Sequence, residues 1–277
     1  MLAALTFVYA PVVASLVRQW ASDENYSHGF LVAPFALLAV WKARGALRAL
    51  PPRPHPAGLV VVVLGILLLT VGQFGAELFL TRLSLLVVIT GGVLFLWGGA
   101  HLRRVAFALL LLLLVIPLPA LILNRVSFPL QLLASRTAET ALSAAGVPVL
   151  REGNVLVLPH GALEVAQACS GIRSLASLIA LALILARFRR DPASPGQTVL
   201  LAALAIPIAV IANAARVAGT GLAAAWVGQW AAEGFFHAFS GWLMFVVALG
   251  ALLGCARAID LFSMRAPWSL APRSLPS

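Results

Sequence analysis

The eighteen residues Gly58–Gly75, GLVVVVLGILLLTVGQFG, contain no charged side chain. A run of that length is suited to crossing a bilayer, and in lipid its backbone must satisfy its own hydrogen bonds, which makes it a helix. Apolar windows recur along the chain. They give eight expected spans: Leu2–Val17, Phe30–Trp41, Gly58–Gly75, Leu83–Ala100, Val105–Leu123, Ser170–Arg187, Thr198–Val217 and Phe235–Ile259. The second is short at its core and extendable at either end. With 62% hydrophobic and 10% charged residues, no soluble domain of this size fits. No loop is long enough to fold separately, and no repeat of about 20–50 residues is evident. The start lacks a charged n-region and a clear cleavage site, so it reads as a retained span. The expectation is an all-α integral membrane protein, a single polytopic domain over 1–277.

The formal charge of +10 is nearly all arginine. A nucleic-acid surface is one source of such a charge, but its distribution over the loops points to the membrane. Alternate segments hold Lys42, Arg44, Arg48, Arg53, Arg103, Arg104, Arg187, Arg189, Arg190, Arg257, Arg265 and Arg273 against only Asp191 and Asp260. The remaining segments hold seven basic residues (Arg18, Arg82, Arg125, Arg136, Arg151, Arg173, Arg216) and seven acidic ones. The positive-inside rule makes the first set cytoplasmic, and an even span count then puts both termini inside.

On the other side the sizeable segment is about 124–169. Val126, Leu130, Leu133 and Ala141 recur at helical spacing with Arg136 and Glu139 between them, as in a helix lying at the interface. VPVLREGNVLVLPHGALEVAQA then alternates and turns at Pro159-His160-Gly161, as a short hairpin does. This helix plus hairpin should cover the outer mouth of the bundle, and it leads into Cys169.

Cys169 starts the sixth span, Arg216 ends the seventh and His237 starts the eighth, so three distant helix ends meet on one predicted face. A helix start and nearby cations, Arg173 among them, favour the thiolate form of a cysteine. A histidine can take that proton and deliver it to a leaving amine. An arginine that keeps its charge can hold a thiolate or an oxyanion. Asn213, three residues before Arg216, shares its helix face. Gly171 and Gly241 allow close approach.

Plainer readings stand beside these. Cys169 can be a small core residue, as Cys255 is; the two lie roughly 25–30 Å apart at 1.5 Å per residue and cannot pair. Two cysteines make no disulfide framework. His237 can be an interfacial residue and His160 a turn residue. Arg173 can serve local carbonyls or Glu164, and His28 can mark a helix entry or support a site. Arg187, Arg189 and Arg190 read as topology determinants. No His/Cys/Asp/Glu set has metal-ligand spacing, and no glycine-rich phosphate loop follows a strand, so neither metal nor cofactor is expected.

ACSGIRSL (Ala168–Leu175), NAARV (Asn213–Val217), FFHAFSGWLMF (Phe235–Phe245) and the early NYSHGFLVAPFALLAVWK (Asn25–Lys42) together resemble the exosortases and the related archaeosortases. The resemblance implies a membrane cysteine protease or transpeptidase acting on proteins with a C-terminal Pro-Glu-Pro-type motif, an anchor helix and a basic tail. It implies a catalytic set of Cys169, Arg216 and His237, with the catalytic half at about 164–259. The family often has an acidic residue where this chain has Gln167, which removes a carboxylate role there. The resemblance further implies a bacterial inner membrane, a site facing the periplasm, and an exopolysaccharide or glycolipid as a candidate acceptor. Glu164, Arg173, Asn213 and His28 are the supporting candidates, and no nucleic-acid partner is expected. Two rivals remain from other classes: a transporter binding an anionic group through Arg173, Arg216 and His237, and a non-catalytic subunit of an exopolysaccharide export system.

Overall fold

The computed structural model describes residues 2–159, 161–166, 170–189, 193–228, 230 and 234–265, with backbone alone for 2–4, 234–238 and 263–265. In order come α1 (Leu2–Ser22), a 3-10 turn (Glu24–Tyr26), α2 (Gly29–Ala49), α3 (Ala57–Phe74), α4 (Leu78–Leu96), α5 (Gly99–Leu114) and α6 (Ala120–Ala144). Then follow β1 (Leu150–Glu152), β2 (Val155–Leu158), β3 (Gly161–Glu164), α7 (Ile172–Phe188), α8 (Pro195–Trp226) and α9 (Gly234–Arg265). Five described segments are long and apolar enough to cross a bilayer: Glu24–Ala49, Ala57–Phe74, Leu78–Leu96, Pro195–Trp226 and Phe239–Phe262. The chain is thus a mostly helical, multi-pass membrane protein. It forms two compact units, 1–129 and 130–277.

In the first unit, α3 carries a glycine every seven residues on one face (Gly58, Gly65, Gly72), and α4 packs along it. A methyl group at Gly58 would stand 2.2 Å from the backbone nitrogen of Phe95, and one at Gly65 2.5 Å from Val88 Cγ2. From the other side, Gly91 of α4 has Val62 N at 2.6 Å from where its Cβ would be. Between helices in lipid no water is released, so association relies on such close packing and on hydrogen bonds. Hydrogen bonds tie α1 to α4. Tyr9 Oη and Ser84 Oγ lie 3.1 Å apart, and the buried Arg82 donates to Ser15 Oγ at 3.0 Å and to Gln19 Oε1.

The expected fifth span, Val105–Leu123, is not one helix. α5 stops at Leu114 and α6 starts at Ala120, with Pro117 and Pro119 in the break. Proline lacks the N–H that would continue the ladder and restricts the residue before it. The backbone groups left over find side chains from the N-terminal region. Trp20 Nε1 donates to Val115 O at 2.9 Å, Leu118 N donates to Tyr26 Oη at 3.1 Å, and His28 Nε2 lies 3.5 Å from Leu114 O. Irregular backbone at membrane depth persists where protein covers and satisfies it.

In the second unit, β1, β2 and β3 form an antiparallel sheet in that order. The pairing Leu158↔Gly161 sets the expected turn after Leu158, although His160 itself lies outside the described residues. The sheet adds a strand to the expected hairpin. Glu152 pairs with Val155 across the two-residue turn Gly153-Asn154, with Gly153 at φ 65, a left-handed conformation that glycine adopts without steric cost. Glu139 of α6 accepts from Arg151 Nε of β1 at 2.8 Å.

Two apolar clusters organise this unit. One joins α7, α8 and α9 through Leu178, Ala182, Leu201, Ala205, Ala248 and Leu252, its many alanines letting the helices approach. The other joins α6, the sheet and α8 through Ala138, Leu142, Leu156, Leu158, Val217 and Ala224. These clusters explain why α8 runs past its expected end at Val217. At 32 residues it is about 48 Å long, well over the ~30 Å of hydrocarbon. Its last turns, up to Trp226, lie against α6 and the sheet. The start of α8 is closed by a capping box, in which Ser194 Oγ accepts from Gln197 N at 3.3 Å and Gln197 Oε1 from Ser194 N at 2.8 Å.

Candidate functional site

Between the two clusters α8 carries a polar interruption. Ala212 packs into one cluster and Val217 into the other, and Asn213 and Arg216 stand between them. Asn213 is buried, at 6% exposure, and Arg216 is half-buried. Three residues apart, they share a helix face.

Neighbouring helices meet this polar step through glycines. Gly171, at the N-cap of α7, adopts φ 80, the left-handed conformation that other residues rarely take. A methyl group there would stand 2.8 Å from both Cβ and Cγ of Asn213 and 3.1 Å from its Nδ2. The turn is fixed from the preceding side as well, because Ser170 Oγ, buried at 3% exposure, accepts from Ile172 N at 3.3 Å. On α9, Gly241 faces the Arg216 guanidinium. Its Cβ would lie 3.4 Å from Cζ and 3.6 Å from both Nε and Nη2, so the guanidinium lies flat against the glycine. The start of α7, the middle of α8 and the early part of α9 therefore come together around one amide and one guanidinium. Such a guanidinium offers several N–H donors in one plane. The amide offers further donors beside the start of α7.

The other expected site residues distribute as follows. Cys169, with Gln167 and Ala168, lies outside the described residues, two positions before Gly171. His237 is in the first turns of α9, one turn before Gly241, and its side chain is outside the described residues. Arg173 is half-buried in the first turn of α7, and Glu164 is exposed at the end of β3. His28 belongs to the first unit, against the Leu114 carbonyl. Cys255 packs half-buried beside the α7–α8–α9 cluster, as its core reading requires. Arg189 does more than mark topology: it forms an ion pair with Asp260 of α9. Among the described residues no group of three or more His, Cys, Asp or Glu gathers as a metal site would.

Sequence reasoning missed the roles of Trp20 and Tyr26, whose partners are backbone groups about ninety residues away. The signal was Pro117 and Pro119 inside an apolar run, which foretells a break needing hydrogen-bond partners.

Several helices long enough to span, a proline-broken connection clasped by side chains and a polar step between apolar clusters define a multi-pass membrane protein with a buried polar centre. The description Transmembrane exosortase (Exosortase_EpsH) matches residues 20–254, and the chain belongs to the transmembrane exosortase family. Its function is of the membrane exosortase type. The match spans His28, Glu164, Cys169, Arg173, Asn213, Arg216 and His237 alike. No curated protein and no solved structure matches the chain.

Proposed function

We propose that the protein is a membrane-embedded cysteine protease or transpeptidase that cleaves C-terminal Pro-Glu-Pro-type sorting signals of exported proteins. The observation that carries this reading is the pair of contacts Gly171–Asn213 and Gly241–Arg216. They hold the helix start just after Cys169 and the helix that carries His237 against the same short stretch of α8.

In this mechanism the substrate's anchor helix lies in the bilayer and brings its sorting motif to the site, which supplies much of the orientational advantage of an intramolecular reaction. The Cys169 thiolate attacks the scissile carbonyl carbon, and Arg216 stabilises the resulting oxyanion. The C–N bond then breaks, and His237 passes the proton taken from the thiol to the departing amine. Water, or the amine or hydroxyl of an acceptor such as an exopolysaccharide or glycolipid, resolves the thioester and returns the thiolate. Asn213 and Arg173 support the polar centre, with Glu164 leading into it. In this reading, which the positive-inside charge pattern supports, the site faces the periplasmic side of a bacterial inner membrane, with eight spans and both termini in the cytoplasm.

The test is an immunoblot of an epitope-tagged substrate bearing a Pro-Glu-Pro motif, anchor helix and basic tail, co-expressed with wild type, Cys169→Ala or Cys255→Ala. Cleavage by wild type and Cys255→Ala but not by Cys169→Ala is expected. Equal processing by Cys169→Ala would make the thiol a core residue and assign the cutting to another protein.

A further inference from the structure

Gly171 and Gly241 carry no functional group, yet each is the point where a helix touches one of the two polar side chains Asn213 and Arg216 of α8. We infer that both are positioning residues: Gly171 sets the start of α7, two residues past Cys169 in sequence, against Asn213, and Gly241 seats the Arg216 guanidinium. The inference rests on the reading of Cys169, Arg216 and His237 as one catalytic set.

The two glycines differ in how little they tolerate. At Gly171 two constraints coincide. The backbone is left-handed, and a Cβ would come within 2.8 Å of two carbon atoms of a side chain that is itself 6% exposed and has nowhere to retreat. Even alanine must displace either the turn or Asn213. At Gly241 a Cβ would find three guanidinium atoms at 3.4–3.6 Å, which is ordinary contact. A methyl group just fits there, and a branched side chain would force the guanidinium aside. Two further glycines of α9 face open space: a Cβ at Gly250 or Gly254 meets no atom within 4 Å. The restriction at Gly241 therefore belongs to its contact with Arg216.

A graded series follows. Gly171→Ala and Gly241→Val should each slow processing about a hundredfold, the scale of a misplacement near 1 Å, with the loss in kcat more than in KM. Gly241→Ala should lose only a few-fold, and Gly250→Ala and Gly254→Ala should match wild type. Asn213→Gly removes the side-chain atoms that a methyl at 171 would strike, so combining it with Gly171→Ala should cost less than the product of the two single losses. Gly171→Asn retains the clash in a residue that accepts the left-handed backbone, so it should stay slow.

Processing of the tagged substrate is measured per amount of detergent-soluble, monodisperse protein. Alkylation of Cys169 against pH, in a Cys255→Ala background, gives a substrate-independent readout. Gly171→Ala and Gly241→Val should move that alkylation profile, and Gly250→Ala should not. Wild-type rates and alkylation profiles in Gly171→Ala and Gly241→Val, while Cys169→Ala is inactive, would overturn the inference. So would losses that merely track the amount of folded protein. Activity surviving in Cys169→Ala would instead remove the catalytic reading on which the inference rests.

Discussion

Along the α3–α4 seam, Gly58, Gly65 and Gly91 face main-chain atoms and apolar side chains, whereas Gly171 and Gly241 face the amide of Asn213 and the guanidinium of Arg216. The same residue type meets the same geometric need, close approach, with different consequences. On the seam, closeness provides the dispersion contacts that hold two helices together where no hydrophobic driving force exists. At the polar step it fixes where two hydrogen-bonding groups sit. A substitution on the seam should therefore show in how much protein folds, and one at the polar step in how fast the folded protein works.

The largest expected effect sharpens this contrast on its catalytic side. Arg216→Ala should lower processing per folded molecule by about 10²–10³-fold, the usual loss for an oxyanion donor. Arg216→Lys should recover little, because a lysine cannot present the planar donor fork. Unchanged turnover in Arg216→Ala, with normal insertion, would reduce the polar step to a packing feature.

On the seam, Gly58→Leu should lower stability by roughly 3 kcal/mol, the upper range for overpacking, because the clash is with backbone at Phe95. A thermal melt in detergent should show the drop, while processing per folded molecule stays at the wild-type rate. A slowed catalytic rate in the surviving fraction would blur the two classes of glycine.

A smaller effect is expected at the clasp of the first unit. Trp20→Phe keeps an aromatic ring but removes the five-membered ring with its N–H, leaving a small buried gap and a Val115 carbonyl in the α5–α6 break without that partner. The cost should be about 1–3 kcal/mol, again read as a melt. The smallest concerns Arg189 and Asp260, whose side chains are 19% and 41% exposed. Solvent screening limits such a pair, so a double-mutant cycle should return a coupling of about 0.2–1 kcal/mol.

Much of the architecture was legible because lipid constrains it so strongly. Uncharged runs such as Gly58–Gly75 admit one spanning structure, and α3, α4, α8 and α9 cover most or all of their apolar windows, whereas the window Val105–Leu123 is split between α5 and α6. What was hidden depended on partners remote in sequence. Pro117 and Pro119 signal a break, but nothing local says that Trp20, Tyr26 and His28 answer it. The end of α8 could not be read from hydropathy, since Val217–Trp226 is as apolar facing Leu156 and Leu158 as it would be facing lipid. The turn at Gly153-Asn154 lies outside the sequence reading, which has one turn, at Pro159-His160-Gly161. The candidate site was legible as residue types in order along the chain. The contacts Gly171–Asn213 and Gly241–Arg216 were not, because a glycine's role lies in the atom it lacks and in what occupies that space.

The central claim is that Cys169 forms the covalent intermediate. It is tested most directly by mass spectrometry of wild-type enzyme acid-quenched at short times during turnover of the tagged substrate. The account predicts a hydroxylamine-sensitive acyl adduct on the peptide containing Cys169, absent in Cys169→Ala. An adduct on another residue, or sustained cleavage with no thioester at Cys169, would contradict it.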